Sequence, residues 1–366
     1  MAPDLSQLAG PGSGPEPEEV WLLLGSRAGE IAQQRTLARA LGRPWREITV
    51  ARMAPSGKQA SHDFSALAPP WPRLAISFGK TLEAVRHMQA QGAGATRFVH
   101  LGLPRRMPIG ALDLIVPMPT DRYVQAPNVL QVRMPFNPAP PPLAADAPAA
   151  LRLRSSDWPR PWTALIVGGS TTRGDITPEQ ASRLAAEASA HVLARGGSLL
   201  ASTSPRTPAA VVEALRRSLA APGELHLYDA AAPGANPYPA YLQMADELIV
   251  TGDSASMIAE CWRSGRPVWV SPLSASLRQR WMRRLRALVP GRLIRSGRVS
   301  ADIDIGRWVR CLARDGVVGI WGRGTPGRGY RAAEDDDLQR TVARIESLLD
   351  DAGRAAGAPA PKVRRA

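Results

Sequence analysis

The chain has 366 residues, 46 Lys and Arg against 32 Asp and Glu for a formal charge of +14, and a hydrophobic content of 44%. That length suits about two domains of ~100–200 residues each, and the apolar fraction excludes a wholly disordered chain. Cys261 and Cys311 are the only cysteines, which excludes a disulfide framework and a four-thiolate zinc site. No window offers the ~18 uncharged apolar residues of a membrane-spanning helix. The first residues are acidic and rich in Pro and Gly, without a basic start before an apolar stretch, so no secretory signal is expected. A soluble, reducing, cytoplasmic setting follows as the expectation.

Residues 1–17 carry no apolar periodicity and read as a flexible leader. Val20 to Leu24 is a short apolar strand ending at Gly25-Ser26, followed by a helix from about Glu30 to Leu41. Trp45 to Val50 and Arg73 to Ser77 are further strands. The second of these enters Phe78-Gly79-Lys80 and a helix to about Gln91. Phe98–Leu101 and Leu112–Val116 are additional apolar runs. Five prolines fall between Phe136 and Ala150, which marks a semi-rigid linker and a domain boundary.

The alternation then restarts. Thr163–Val167 is a strand, Pro178–Arg195 a helix, Ser198–Ala201 a strand, Ser202–Thr207 a loop, and Pro208–Leu219 a helix. Leu225–Tyr228, Glu247–Val250 and Pro267–Val270 are strands, and Ala255–Arg263 is a helix. Asp302-Ile303-Asp304 has the spacing of a metal-binding Asp pair, but two acids on an edge strand are the commoner explanation. Glu334 to Leu349 forms a last helix, with acids in its first turn that suit the macrodipole. Strands alternating with helices favour parallel sheets covered on both faces, with ligands at the carboxyl ends of the strands.

Charge is concentrated late in the chain. Residues 275–331 hold 14 Arg and no Lys against Asp302, Asp304 and Asp315, so this stretch supplies +11 of the +14. A basic surface of this kind attracts phosphorylated ligands, nucleic acid or an anionic membrane face, unless it is simply a solvated helix. Nucleic acid ranks last, because interleaved aromatics and a known binding module are missing.

Three consecutive units of the second half end a strand in small or hydroxyl residues just before a helix. They are Gly168-Gly169-Ser170, then Ser202-Thr203-Ser204-Pro205-Arg206-Thr207-Pro208, then Thr251-Gly252-Asp253-Ser254-Ala255-Ser256. Any one of them is an ordinary N-cap. Three at one sheet edge point to an anion held by backbone N–H groups and helix starts, with Arg206 adding a fork of donors. Glu260, about two turns beyond Asp253, can reach ribose hydroxyls or sit as an ordinary helical acid. Asn236 before Pro237 reads first as a helix cap. In the first half, Gly25 to Gly29 and Gly79-Lys80 face the expected cleft. They match neither the dinucleotide fingerprint nor the P-loop, which disfavours hydride transfer and ATP hydrolysis by those routes. The five histidines are scattered, with no metal-ligand spacing.

These motifs, taken in order, resemble the mitochondrial-fission ELM-type family, with Asn236-Pro237-Tyr238, Val250 to Glu260 and Gly265-Arg266-Pro267-Val268 closing the set. The likeness runs from about residue 20 to 350. It implies two Rossmann-like, doubly wound parallel-sheet domains of the GT-B glycosyltransferase type, with an interdomain cleft. In that frame residues 18–135 form the acceptor-side domain, 136–161 the linker and 162–330 the nucleotide-side domain. Residues 331–352 form a C-terminal helix and 353–366 a flexible basic tail. The resemblance further implies metal-independent transfer from a nucleoside-diphosphate sugar, with no tightly bound cofactor and an acceptor not yet identified. Gly168, Gly169, Ser170, Ser202, Ser204, Arg206, Asn236, Asp253, Ser254, Ser256 and Glu260 would hold the donor, and Asp121 or Lys80 would meet the acceptor. An anionic membrane, at its inner face, is the expected resting surface for the Arg-rich stretch. The chain departs from the family pattern at Pro205, where a second Arg is usual, and at Pro119-Thr120-Asp121, where a His is usual. A non-catalytic adaptor that binds partners at a membrane is the alternative.

Overall fold

The computed structural model describes residues 19–50, 63–122, 124–138, 157–169, 176–227, 236–273, 281, 284–285, 288–298, 303–331 and 336–357. In the first half, β1 (Val20–Leu24), β2 (Trp45–Thr49), β3 (Leu74–Phe78), β4 (Arg97–Leu101) and β5 (Leu114–Val116) form one parallel sheet in the order β2-β1-β3-β4-β5. Every side chain of β1 and β3 is buried. This is what continuous apolar runs do when helices cover both faces of a sheet. Helix α1 (Ala28–Leu41) packs Leu37, Ala38 and Leu41 inward and stops at Gly42, whose φ of 65° supplies the left-handed C-cap. Gly79–Thr81 makes a single tight turn before α2 (Leu82–Ala90).

The second half repeats the plan with β6 (Trp162–Val167), β7 (Ser198–Thr203), β8 (Gly223–His226), β9 (Glu247–Thr251), β10 (Val268–Ser271) and β11 (Gly319–Ile320). These are all parallel, in the order β11-β10-β9-β6-β7-β8. Chain direction through the sheet reverses between β6 and β9, and crevices of this kind take ligands at the strand ends. Helix α3 (Pro178–Leu193) opens on a capping box: Gln180 N donates to Thr177 Oγ1 at 3.2 Å and Thr177 N donates to Gln180 Oε1 at 3.1 Å. Helices α4 (Ala209–Ser218), α5 (Tyr238–Met244) and α6 (Ala255–Arg263) complete the crossovers.

Several elements differ from the sequence expectation, and β8 begins at Gly223, two residues before the expected Leu225. Ser202 and Thr203 belong to β7, paired with Ile166 and Val167, where a loop is expected; strand pairing on both sides outweighs their turn propensity. Asp304 is not on an edge strand. It caps α8 (Ile305–Arg314), its carboxylate accepting from Arg307 N at 2.9 Å.

The halves are tied together at three places. Between Val132 and Asn137 the chain passes from one core to the other, with Phe136 packed in the first, Met134 in the second and Asn137 fully buried. Residues 139–156, which hold most of the expected linker, lie outside the described set, as do the leader and the end of the tail. After β10 the chain crosses to the first domain. Val289 and Ile294 pack in its core, Ile294 from the short helix α7 (Gly291–Arg295), and Arg122 Nη1 donates to Val289 O at 2.5 Å. It returns through a bridge of Ile303 with Asp121. Finally α9 (Asp337–Gly357) runs past the expected Leu349 and buries Ile345 and Leu349 against the first sheet. Arg43 clamps it, donating to Glu346 at 2.9 and 2.5 Å and to Glu19 at 2.5 Å.

Candidate functional site

Gly168 and Gly169 follow β6, Ser204 to Thr207 follow β7, and Gly252 to Ser254 follow β9. Because these three strands are neighbours, their carboxyl ends share one rim. Hydrogen bonds fuse the turns. Gly168 N donates to Thr251 Oγ1 at 2.8 Å, Thr251 Oγ1 donates to Asp253 Oδ1 at 2.6 Å, and Gly169 N donates to Asp253 Oδ2 at 3.1 Å. On the other flank Thr207 Oγ1 donates to Gly168 O at 2.7 Å, while Ser204 N donates to Thr207 Oγ1 at 2.9 Å.

The glycines are required by contact. A Cβ on Gly168 would stand 2.0 Å from Asp253 Oδ2, and one on Gly169 2.0 Å from Arg206 O and 2.6 Å from Thr207 N. Real Cβ atoms essentially never come that close. Ser254 caps α6, accepting from Met257 N at 3.4 Å. The first N–H groups of a helix, here those of Ala255 and Ser256, have no intrahelical acceptor and point out of its start. Arg206 is exposed on the same rim.

The acids face inward. Asp253 is 6% exposed and spends both oxygens on the turns; burial raises its pKa, against the pull of Thr251, the Gly169 N–H and the Arg206 charge. It therefore positions the rim rather than facing outward from it. The Glu260 carboxylate accepts from Tyr238 Oη at 2.7 Å and Asn137 Nδ2 at 3.1 Å, and burial raises its pKa as well. Asn236 Oδ1 accepts from Tyr238 N at 3.0 Å, at the start of α5, as a cap does. Asn236, Tyr238, Glu260 and Asn137 thus form one hydrogen-bonded group that ties α5 and α6 to the crossover between the two cores. Asn137 carries no motif in the sequence and becomes visible only through the packed crossover.

Placement of the remaining expected residues is mixed. Ser202 is buried within β7, its Oγ 3.4 Å from Thr203 O, two residues back from the rim. Ser170 lies outside the described residues. Lys80 stands exposed in the turn after β3, at the reversal point of the first sheet. Asp121 is 7% exposed, and its Oδ2 accepts from Leu103 N at 3.1 Å and Met118 N at 2.9 Å, which holds the loops after β4 and β5. A residue that sequence reasoning passed over is Glu30. Its carboxylate lies 3.3 Å from the Cβ position of Gly79, and its Oε1 accepts from Arg27 Nη1 at 2.9 Å. One residue earlier, the Cβ position of Gly29 is 3.1 Å from Ser256 Oγ. The starts of α1 and α6 therefore face each other across the cleft.

The fold defines a two-domain parallel α/β protein in which three turns fuse at the carboxyl ends of adjacent strands of the second sheet. The family model described as mitochondrial fission ELM1 matches residues 28–303, and the chain belongs to that family. A relative, the mitochondrial fission protein ELM1 of Arabidopsis thaliana, is 30% identical over 129 residues, which is 33% of this chain and 30% of that protein's length. Among solved structures, the S. aureus MnaA–UDP complex covers 90% of this chain and 96% of its own, at 12% identity and a TM-score of 0.43. A UDP-glucosyltransferase from Polygonum tinctorium covers 91% and 93%, at 11% identity and a TM-score of 0.46. No described helix is long and apolar enough to cross a membrane.

Proposed function

We propose that this chain is a GT-B-type, metal-independent transferase that takes a sugar from a nucleoside-diphosphate donor, acting at a membrane surface. The observation that carries the reading is the fused rim of Gly168-Gly169, Ser204–Thr207 and Ser254–Ser256, at the point where the second sheet reverses. The N–H groups at the start of α6, the Ser204 hydroxyl and Arg206 hold the diphosphate. Ser256 lies beside them, and Glu260 with Asn236 borders the nucleoside side. In transfer, an acceptor oxygen bonds to the anomeric carbon while the bond to the diphosphate oxygen breaks and that oxygen keeps the electron pair. The helix dipole and Arg206 stabilise the charge that gathers on this leaving group, where electrostatic stabilisation is worth most. The acceptor's proton passes to a base on the first-domain side, where Glu30 and Lys80 line the cleft. Asp121, with an oxygen already holding two backbone donors, keeps a positional part.

A second reading is an adaptor that has kept the shell without catalysis. The inward engagement of Asp121, Asp253 and Glu260 favours it, and so does a family named for mitochondrial fission. Melting temperature followed against a panel of nucleotides and nucleotide-sugars separates the two. A ligand at 100 times its Kd adds about 2.7 kcal/mol of stability. A shift for nucleoside diphosphates that Arg206→Ala weakens supports the transferase. Lack of any shift across the panel leaves the adaptor.

A further inference from the structure

Few large apolar side chains of the described residues are exposed, and three of them fall in one short stretch: Trp281 at 61%, Leu285 at 42% and Leu288 at 77%. Their spacing, i, i+4 and i+7, is that of a single helical face, and Trp281 and Leu285 have helical backbone. Exposed apolar residues scattered singly need no explanation, but three at helical spacing form a patch. The charged residues of this stretch of sequence share one sign. Residues 274–301 include eight Arg and no acid, and Arg284, Arg292, Arg295 and Arg298 are all exposed.

The stretch is held firmly at its downstream end. Val289 follows the last apolar residue by one position, and its carbonyl is gripped by Arg122 at 2.5 Å. Ile294 is 2% exposed in the first-domain core, and Gly297 packs so tightly on Met107 that a Cβ there would lie 2.5 Å from its backbone. Asp304 N then donates to Thr120 O at 2.8 Å, and Arg307 Nη2 to Asp121 O at 2.6 Å. The patch is thus fixed to the acceptor-side domain, beside the loops after β4 and β5.

We infer that Trp281, Leu285 and Leu288 form a docking face for an anionic lipid bilayer, the three side chains entering the boundary between headgroups and acyl chains while Arg284, Arg292, Arg295 and Arg298 meet lipid phosphates. Charge complementarity selects this occupant. A second copy of the chain would bring the same Arg-rich face against itself, and a neutral apolar partner would leave the guanidinium groups unmatched. An amphipathic element with a basic polar face and Trp and Leu on the other lies in the membrane interface. The inference names the surface by which the proposed membrane setting is reached, and it does not depend on the nucleotide site.

The test is co-sedimentation of the full chain with vesicles of phosphatidylcholine alone and with phosphatidylglycerol added, at low and raised salt. Binding is expected only with phosphatidylglycerol and should weaken with salt. Arg284→Gln should weaken it about fivefold. The triple variant Trp281→Ser, Leu285→Ser, Leu288→Ser should weaken it at least about tenfold and keep the wild-type urea midpoint, since all three side chains are exposed. Arg206→Ala should bind vesicles as the wild type does, so failure of the nucleotide reading and failure of this one are told apart. The inference is overturned by no binding to either vesicle, by equal binding to both, or by a triple variant that binds undiminished. It is equally overturned if the wild type self-associates in solution and the triple variant does not.

Discussion

Replacing Gly169 by Ala asks the rim to accept one methyl group where the backbone leaves no space. The new Cβ would stand 2.0 Å from Arg206 O, whereas ordinary contact begins at 3.4 Å, so the turn after β7 must retreat by 1.4 Å (3.4 less 2.0). The obstructing atoms are backbone, and Thr207 is tied to Gly168 O at 2.7 Å, so no side-chain rotation relieves the clash. Overpacking of this kind costs about 1–3 kcal/mol. Displacing the Gly169 N–H from the Asp253 carboxylate adds about 1.5–3 kcal/mol, the range for a hydrogen bond to a charged group. Partial relaxation makes the two less than additive, and we expect a loss of about 2–4 kcal/mol. The assay is urea unfolding, read as a change of midpoint at constant slope. Gly42→Ala is the control. Gly42 has a φ of +65° and nothing within 4 Å of its Cβ position, so it should lose only about 1 kcal/mol of conformational strain and keep nucleotide binding. A Gly169→Ala protein no less stable than Gly42→Ala, or one that binds nucleotide like the wild type, would refute the packing argument.

Further outcomes are expected elsewhere. Glu260→Gln should be neutral or stabilising at pH 8, because burial raises the carboxyl's pKa above its ordinary 4.5 and its protonated form is the better-tolerated one. The wild type is thus most favoured below that ordinary value and loses stability as pH rises through the raised pKa, so the variant's advantage should grow between pH 4.5 and 8. Asn137 can turn its amide to accommodate the glutamine, since its buried Oδ1 has no partner. An unfolding free energy lowered by more than about 1 kcal/mol in urea at pH 8 contradicts this. Arg43→Ala should cost about 1–2 kcal/mol by releasing Glu346 of α9, and Glu19, from the guanidinium, a modest figure because the ion pairs are partly exposed. Hydrogen bonding to Arg43 lowers the Glu19 pKa, so the gap between variant and wild type should narrow as pH falls below the ordinary 4.5. His100 is buried against Ser77 Oγ at 2.8 Å, with its pKa pushed down to about 3 from 6.5. It remains neutral in the fold, so its contribution is present above pH 6.5 and is lost as pH falls toward 3; His100→Leu should flatten that part of the stability curve.

Much of the architecture could be read from the chain because the parallel strands are buried on both faces. Val20–Leu24 and Leu74–Phe78 carry apolar runs with no polar alternation, and Gly or hydroxyl residues punctuate their ends. The rim was legible for the same reason: Gly168-Gly169, Ser204 and Ser254 sit where strands stop and helices start. Residues whose roles depend on distant partners were not. Asp121, Asp253 and Glu260 look like outward ligands in sequence, yet each is turned toward donors that only the fold supplies: Leu103 N, Gly169 N and Asn137 Nδ2 respectively. Ser202 and Thr203 have turn chemistry but take strand geometry from β6, a pairing more than 30 residues away in the chain. The excursion from Val289 to Ile303 onto the first domain has no local signal, because its anchors, Arg122 and Met107, lie far upstream.

Three turns of the second domain, on the proposed function, form one phosphate-binding rim. The most direct measurement is a crystal structure of the full chain grown with uridine diphosphate. A phosphate is expected within hydrogen-bonding distance of the Ala255 or Ser256 N–H and of the Arg206 guanidinium. A diphosphate bound elsewhere, or a rim left empty at saturating nucleotide, would contradict it.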